Sequence, residues 1–84
     1  PYEKHKPVIE VIDNKVIVTI GSVLHPMVPE HFIDWIYLET KKGGQRKVLA
    51  RDGQPLVEFM LSDDDSAVAA YSYCNLHGLW YTQV

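Results

Sequence analysis

The hydrophobic pattern of the first quarter of the chain is typical of two short β-strands. Residues 8–12 and 15–20 are rich in valine and isoleucine, and neither run has the spacing of an amphipathic helix. Asp13 and Asn14, which both favour tight turns, separate the two runs. Two β-branched runs around a two-residue loop predict a β-hairpin.

The rest of the chain alternates between apolar runs and turn-forming residues. A loop is predicted at residues 21–30, and turns are predicted at residues 40–44, 52–55 and 62–66. The runs between them predict five more strands, at residues 32–39, 45–50, 56–61, 67–73 and 79–84. Seven short strands with regularly spaced turns predict an all-β fold, an immunoglobulin-like β-sandwich that forms a single domain over residues 1–84.

Three further features have structural interpretations within this sandwich. The polar residues 1–7 are typical of a solvated N-terminal tail. The acidic run at residues 63–65 predicts a solvated loop, because three adjacent carboxylates lack the alternate spacing of a calcium-binding EF-hand loop. Four aromatic residues are expected in the core or at its edge, namely Trp35, Tyr37, Tyr73 and Trp80.

Composition narrows the classes of function. The chain has 84 residues, a formal charge of -3 and one cysteine. A domain this small buries a limited core, and a single cysteine forms no internal disulfide. If the fold has an additional cross-link, it is therefore expected to be a bound metal ion.

The lone thiol favours a reducing compartment, which predicts a cytoplasmic protein. The charge predicts no nucleic-acid partner, and the absence of a long apolar run predicts no membrane partner. The chain begins with Pro1 rather than methionine, which is consistent with the loss of an upstream segment.

The candidate chemistry centres on a Cys-x-x-His step, Cys74 and His77, followed by Gly78. A tight loop of this spacing brings a thiolate and an imidazole to one metal ion, although a buried thiol beside an unrelated histidine has the same pattern. The remaining histidines are His5, His25 and His31, and each lies beside turn-forming residues rather than within an apolar run. Taken singly, each is equally consistent with a histidine on the surface of a loop.

Five donors together favour a redox metal. Four imidazoles and one thiolate exceed the four ligands of a structural zinc site, and a metal that prefers six ligands would keep one position open. Thiolate and imidazole ligands suit iron, copper and zinc. Two alternatives remain from the residues alone. One is a blue-copper electron-transfer protein, which would leave two histidines unused; the other is an immunoglobulin-like binding module stabilised by zinc.

Four segments of the chain, in this order, resemble the superoxide reductase family, which comprises neelaredoxins and the C-terminal iron-binding domain of desulfoferrodoxins. The segments are Glu3-Lys4-His5, His25-Pro26-Met27, Glu30-His31 and Cys74-Asn75-Leu76-His77-Gly78-Leu79-Trp80. The resemblance covers nearly the whole chain and uses every histidine and the only cysteine.

The resemblance implies one non-haem iron ion per chain that reduces superoxide to hydrogen peroxide. His5, His25 and His31 would bind it through Nε, His77 through Nδ, and Cys74 as the axial ligand. Lys4 would attract the anion and assist protonation, and Glu3 would occupy the sixth position when the iron is oxidised. The implied electron donor is rubredoxin or a similar small carrier, and a homo-oligomer is expected.

Two features depart from the family pattern. Lys6 stands where an apolar residue is expected, so that its charge could alter the field around the site. With one cysteine, this span cannot hold the additional cysteine-ligated iron of the two-centre desulfoferrodoxins.

Overall fold

The predicted N-terminal hairpin is formed by β1, Pro7–Ile12, and β2, Lys15–Ile20. In the computed structural model, which describes residues 2–84, the two strands pair antiparallel from Pro7 opposite Ile20 to Ile12 opposite Lys15. Asp13 takes the left-handed conformation in the turn, with a φ of 54°. Pro1, the first residue of the predicted domain, lies outside the described residues.

Five further strands complete two antiparallel sheets within residues 2–84. They are β3 (Ile33–Thr40), β4 (Gly43–Val48), β5 (Leu56–Met60), β6 (Ala67–Cys74) and β7 (Gly78–Gln83). One sheet has the order β1-β2-β5 and the other has the order β4-β3-β6-β7. The predicted β-sandwich is therefore confirmed, and a single four-residue helical turn, α1 (Tyr2–His5), precedes it. No helix among the described residues is long and apolar enough to cross a membrane.

The core between the sheets is aliphatic and follows the alternation of the strands. In β2 every second residue is fully buried, and in β3 Ile36 and Leu38 alternate with partly exposed neighbours. Phe59 of β5 is the largest fully buried side chain. Cys74, at the end of β6, belongs to the same cluster, so the thiol lies where the core meets one end of the sandwich.

None of the four aromatic residues expected in the core or at its edge is fully buried, and the expectation is wrong for Tyr73. Trp35, Tyr37 and Trp80 are only partly buried, and Tyr73 is 39 % exposed. Trp35 and Tyr73 stand opposite each other on neighbouring strands and stack on the outer face of the four-stranded sheet. They lie outside the core because their positions in β3 and β6 alternate with those of the buried aliphatic residues.

The start of β4 also differs from the prediction. Gly43 and Gly44 were expected in a turn, whereas both pair with the end of β3. Any side chain at Gly44 would meet the Tyr37 ring, because a Cβ atom there would lie 2.0 Å from the Tyr37 hydroxyl. Gly44 is therefore a strand residue over which an aromatic ring packs, a tertiary contact with no local sign in the sequence.

The predicted solvated tail is wrong for the residues that lead into the sandwich. Tyr2–His5 forms one helical turn whose last residue, His5, is only 2 % exposed. The turn packs on the start of the loop after β2, where Gly21 has a φ of 91° and its missing Cβ would lie 2.9 Å from the Lys4 Cα. Ser22 and the Val23 amide both donate to the Glu3 carbonyl. These contacts fix the segment against the loop and bury His5, while Glu3 and Lys4 remain exposed as predicted.

Candidate metal centre

Five donor side chains meet at one end of the sandwich although they come from widely separated parts of the chain. They are supplied by α1, by the β2–β3 loop and by the end of β6 with its turn into β7. One ligand atom from each of His5, His25, His31 and Cys74 lies within 4.8 Å of every other. His77 joins them, since its Nδ1 is 3.0 Å from Nε2 of His5 and 3.8 Å from Sγ of Cys74.

The orientation of each imidazole leaves one nitrogen facing the centre of this cluster. Nδ1 of His25 donates to the Pro26 carbonyl at 2.7 Å, so its Nε2 faces inward, 3.3 Å from Nε2 of His5. Nε2 of His31 is buried and finds no hydrogen-bond partner among residues 2–84. His77 presents Nδ1. Nε2 of His5, Nε2 of His25 and Nδ1 of His77 are therefore the nitrogens of these three rings that face the cluster, as the family resemblance implies for them.

The surroundings keep two of the imidazoles neutral. Burial lowers the pKa of His25 to about 4, an effect that its bond to Pro26 opposes and the neighbouring histidines reinforce. Burial also lowers the pKa of His31, and the charges of His77, His5 and Lys4 lower it further. A neutral imidazole has a free lone pair at its inward nitrogen, which is the form that binds a metal.

The Cys-x-x-His step is a tight turn. Cys74 pairs with Gly78 across the end of the β6–β7 hairpin, and residues 75–77 form the turn. Gly78 has a φ of 81°, so the predicted need for a flexible residue after His77 is met by a left-handed glycine. The turn places His77 at the exposed rim while Cys74 stays fully buried.

Two residues for which no functional role was predicted hold the segments that carry the candidate ligands together. The indole of Trp80 stacks on His5, with ring centroids 4.9 Å apart, and its Nε1 donates to the His77 carbonyl. Asn75 bonds to the backbone on both sides of His31. Both belong to the quoted Cys74–Trp80 segment, and the only sequence sign of a role was their presence in that shared segment.

The charged residues near His5 fall into two groups. Glu3 and Lys4 are exposed on α1, and the Lys4 ammonium is close enough to His31 to lower its pKa. Lys6 points elsewhere, because its Nζ donates to the Tyr81 carbonyl at 3.2 Å and lies over the Tyr2 and Tyr81 rings. The residue that departs from the family pattern is therefore engaged along β7.

The donor set suits a thiolate-ligated transition metal. A metal ion would bind the neutral imidazoles of His25 and His31 and the buried thiol, and it could satisfy the buried Nε2 of His31, which has no partner among residues 2–84. A blue-copper site is not favoured. Such a site usually has an axial methionine, and the sulfur of Met27, the methionine nearest to His25 in the sequence, accepts a hydrogen bond from the Ile33 amide instead.

Comparisons with known proteins point to one family. The desulfoferrodoxin family model matches residues 1–83. A desulfoferrodoxin homolog from Archaeoglobus fulgidus is 47 % identical over 78 residues, covering 93 % of this chain and 61 % of its own length. A superoxide reductase from Pyrococcus horikoshii is 38 % identical, with 98 % of this chain and 86 % of its own length covered.

The fold is also found among solved structures. A superoxide reductase from Treponema pallidum superposes with a TM-score of 0.95 and is 53 % identical, covering 96 % of this chain and 66 % of its own. The chain spans about three fifths of the length of the curated desulfoferrodoxins that it matches. The chain therefore belongs to the desulfoferrodoxin family, whose relatives include proteins named superoxide reductase.

Proposed function

We propose that this domain is a superoxide reductase, an oxidoreductase that reduces superoxide to hydrogen peroxide at a single non-haem iron. The observation that carries the proposal is the meeting of five donor side chains at one end of the sandwich, among them His31, whose buried Nε2 has no hydrogen-bond partner within residues 2–84. The names of the relatives support the same activity. His5, His25, His31, Cys74 and His77 are the proposed ligands.

Iron is favoured by the number and kind of donors. Four nitrogens and one sulfur are more than a structural zinc site uses, and they leave a six-coordinate metal one position for a small anion. Bound iron would supply one electron to superoxide, with the thiolate of Cys74 increasing its electron density. The burial of Cys74 within the core cluster keeps the thiolate away from competing water.

Glu3 and Lys4 are proposed to act at the open side of the site. Both are exposed and lie immediately before His5, which fixes the end of α1 at the centre of the cluster. The flexible stem of Lys4 lets a hydrated ammonium reach over the rim, where it would attract superoxide and donate a proton. Glu3 would fill the sixth position after oxidation, as the family resemblance implies.

The partners follow from this chemistry. The domain would receive electrons from rubredoxin or a similar small carrier, because a one-electron reductant must restore the iron after each turnover.

We further propose a homo-oligomer and a cytoplasmic location. The oligomer is supported by the exposed side chains of Tyr73, Leu79 and Tyr81 on the outer sheet face, and the location is supported by the unpaired thiol. Sedimentation velocity of the purified protein tests the oligomer.

The decisive experiment is to load the purified protein with iron and record its visible spectrum and its reaction with superoxide. We expect a thiolate-to-iron(III) band in the oxidised form and rapid second-order consumption of superoxide in pulse radiolysis. A protein that binds iron without this band, or that has the band and does not consume superoxide, would contradict the proposal. Metal analysis of the same sample identifies a colourless zinc form.

A further inference from the structure

Asn75 connects two parts of the candidate metal centre. Its side-chain Oδ1 accepts a hydrogen bond from the Phe32 amide at 2.9 Å, and its Nδ2 donates to the Glu30 carbonyl at 3.0 Å. Its own backbone amide donates to the Phe32 carbonyl at 3.2 Å. Three bonds from one residue therefore hold the two neighbours of His31.

The His31 backbone is fixed by a second set of bonds. Its amide donates to the Val28 carbonyl and its carbonyl accepts from the Val28 amide, both at 3.0 Å. This bridge closes the end of the β2–β3 loop on itself, whereas Asn75 ties the same segment to the β6–β7 turn. The bonds of Asn75 relate the position of His31 to that of Cys74, the residue immediately before Asn75, and they add to the β3–β6 ladder, in which Ile33 pairs with Cys74.

We infer that Asn75 is a positioning residue of the metal centre, which sets the distance between His31 and Cys74 without touching the ion. The inference rests on the proposed function, because it assumes that these two side chains bind one metal. Cys74 is held in the core, so its sulfur is fixed by packing. The His31 ring lies on a loop, and its inward Nε2 has no bond of its own to hold it among the described residues.

The two side-chain hydrogen bonds of Asn75 require an amide group. Glu30 offers a carbonyl and Phe32 offers an N–H, so the partner must donate and accept at adjacent atoms. A carboxamide does both, a carboxylate only accepts, and an aliphatic side chain does neither. Groups that orient ligands in this indirect way typically change metal affinity by about 10–100-fold when they are removed.

The test compares Asn75→Ala with wild type in the binding of Co²⁺, whose spectrum reports sulfur and nitrogen ligands separately. We expect the dissociation constant to rise roughly tenfold. The thiolate-to-cobalt band should survive, because Cys74 is unchanged, while the ligand-field bands shift as His31 moves. Asn75 is exposed, so truncation leaves no cavity in the core, and circular dichroism of the metal-free protein checks that the sandwich remains.

Asn14→Ala is the matched control, since Asn14 also uses its side-chain amide to join two loops, in this case to Asp63 at the surface. It should bind Co²⁺ as wild type does. A double-variant cycle gives the sharper test. If Asn75 acts through His31, Asn75→Ala should cause little further loss of affinity in a His31→Ala background.

Three outcomes would overturn the inference. An unchanged affinity and spectrum in Asn75→Ala would do so, and so would an equal loss in both backgrounds, which would mean a general effect on folding or on Cys74. If wild type itself showed no thiolate-to-cobalt band, the five-donor site and the proposed function would fail with it. The first two results would leave the proposed function intact.

Discussion

The two ends of the sandwich satisfy their polar groups in opposite ways. At the end away from the candidate metal centre, Lys42 pairs with Asp64, its amide donates to Asp65, and Asn14 donates to Asp63. The predicted solvated acidic loop is thus solvated and paired. Hydrogen bonds from Lys42 and Ser62 to the Asp64 carboxylate lower the pKa of Asp64, because they stabilise its ionised form.

At the other end the polar groups face one another with their lone pairs inward. Nε2 of His5 lies 3.3 Å from Nε2 of His25 and 3.0 Å from Nδ1 of His77, and Nε2 of His31 has no partner within the described chain. Two ring nitrogens in contact cannot both present a lone pair without a proton or a metal ion between them, so this cluster suits an ion that accepts lone pairs. The comparison teaches that charged residues pair with each other at one end, whereas imidazoles and a thiol at the other end form a cluster that suits a metal ion.

The largest effect is expected from removing the only sulfur ligand. Cys74→Ser is nearly isosteric and should fold, but a hydroxyl does not donate electron density to iron as a thiolate does. We expect the thiolate-to-iron(III) band to disappear and most of the activity to be lost, measured by visible absorption and pulse radiolysis. A variant that kept its rate would show that the sulfur is not part of the reacting centre.

The next effect concerns single positive charges at the two ends. Lys4→Ala should slow the second-order reaction with superoxide roughly tenfold at low salt, because it removes a steering charge beside the site. The loss should shrink as ionic strength rises and leave the absorption spectrum unchanged. Lys4→Arg should retain much of the rate. Pulse radiolysis across a salt series measures all three effects.

Two controls remove the same charge elsewhere. Lys6 is held along β7 by the Tyr81 carbonyl, and Lys42 lies at the far end beside Asp64. Lys6→Ala and Lys42→Ala should both react nearly as wild type does. Equal slowing in all three alanine variants would mean that net charge matters and position does not, and equal rates for wild type and Lys4→Ala would make Lys4 an ordinary surface residue.

A third prediction uses the pH dependence of the metal-free protein. The pKa of His25 is about 4 in the folded state and about 6.5 when the residue is exposed to water. Between these values the unfolded state binds the proton and the folded state does not, so stability is full above about pH 6.5 and falls as the pH is lowered towards 4. Urea unfolding with a chelator present, between pH 7.5 and 5, should show this fall.

The matched variant is His25→Gln, which keeps a polar side chain without the titration. Its stability should depend less steeply on pH over the same interval, with a residual slope from His31, whose pKa is also lowered by burial. Stability that stayed constant or rose on acidification of the wild-type protein would contradict the neutral imidazoles inferred for this end of the sandwich.

The features that the sequence predicted well are those determined by neighbouring residues. The turn at Asp13 and Asn14 and the β-branched runs around it fix the first hairpin locally, and the alternation of β2 gives its buried face directly. The glycine after His77 was identified for the same reason. Its left-handed conformation is required by the turn itself.

The features that the sequence missed depend on distant contacts. The burial of His5 was not predicted, because it comes from packing of α1 on the loop after Gly21. Asn75 acts on residues more than forty positions away, and Trp80 was assigned to the core although it covers His5. Such contacts cannot be predicted from hydrophobic periodicity or from turn-forming residues, because both depend only on neighbouring positions.

The smallest expected effect compares the left-handed residues of the two hairpin turns. Gly78, beside the metal centre, has a φ of 81°, and Asp13, at the far end, has a φ of 54°. No atom lies within 4 Å of a Cβ built on Gly78, so Gly78→Ala adds only backbone strain and should lower the free energy of unfolding by about 1–2 kcal/mol. Urea unfolding of the metal-free protein measures this change.

Asp13→Gly provides the reverse substitution at the other end. Aspartate tolerates the left-handed region, and glycine would gain freedom in the unfolded chain, so the relief of strain and the added entropy should nearly cancel. Gly78→Ala should also weaken Co²⁺ binding, because strain relieved there would move His77, whereas Asp13→Gly should leave it unchanged. If both substitutions altered metal binding equally, the two turns would not be independent, and the separation of the sandwich into a closed end and a metal-completed end would be wrong.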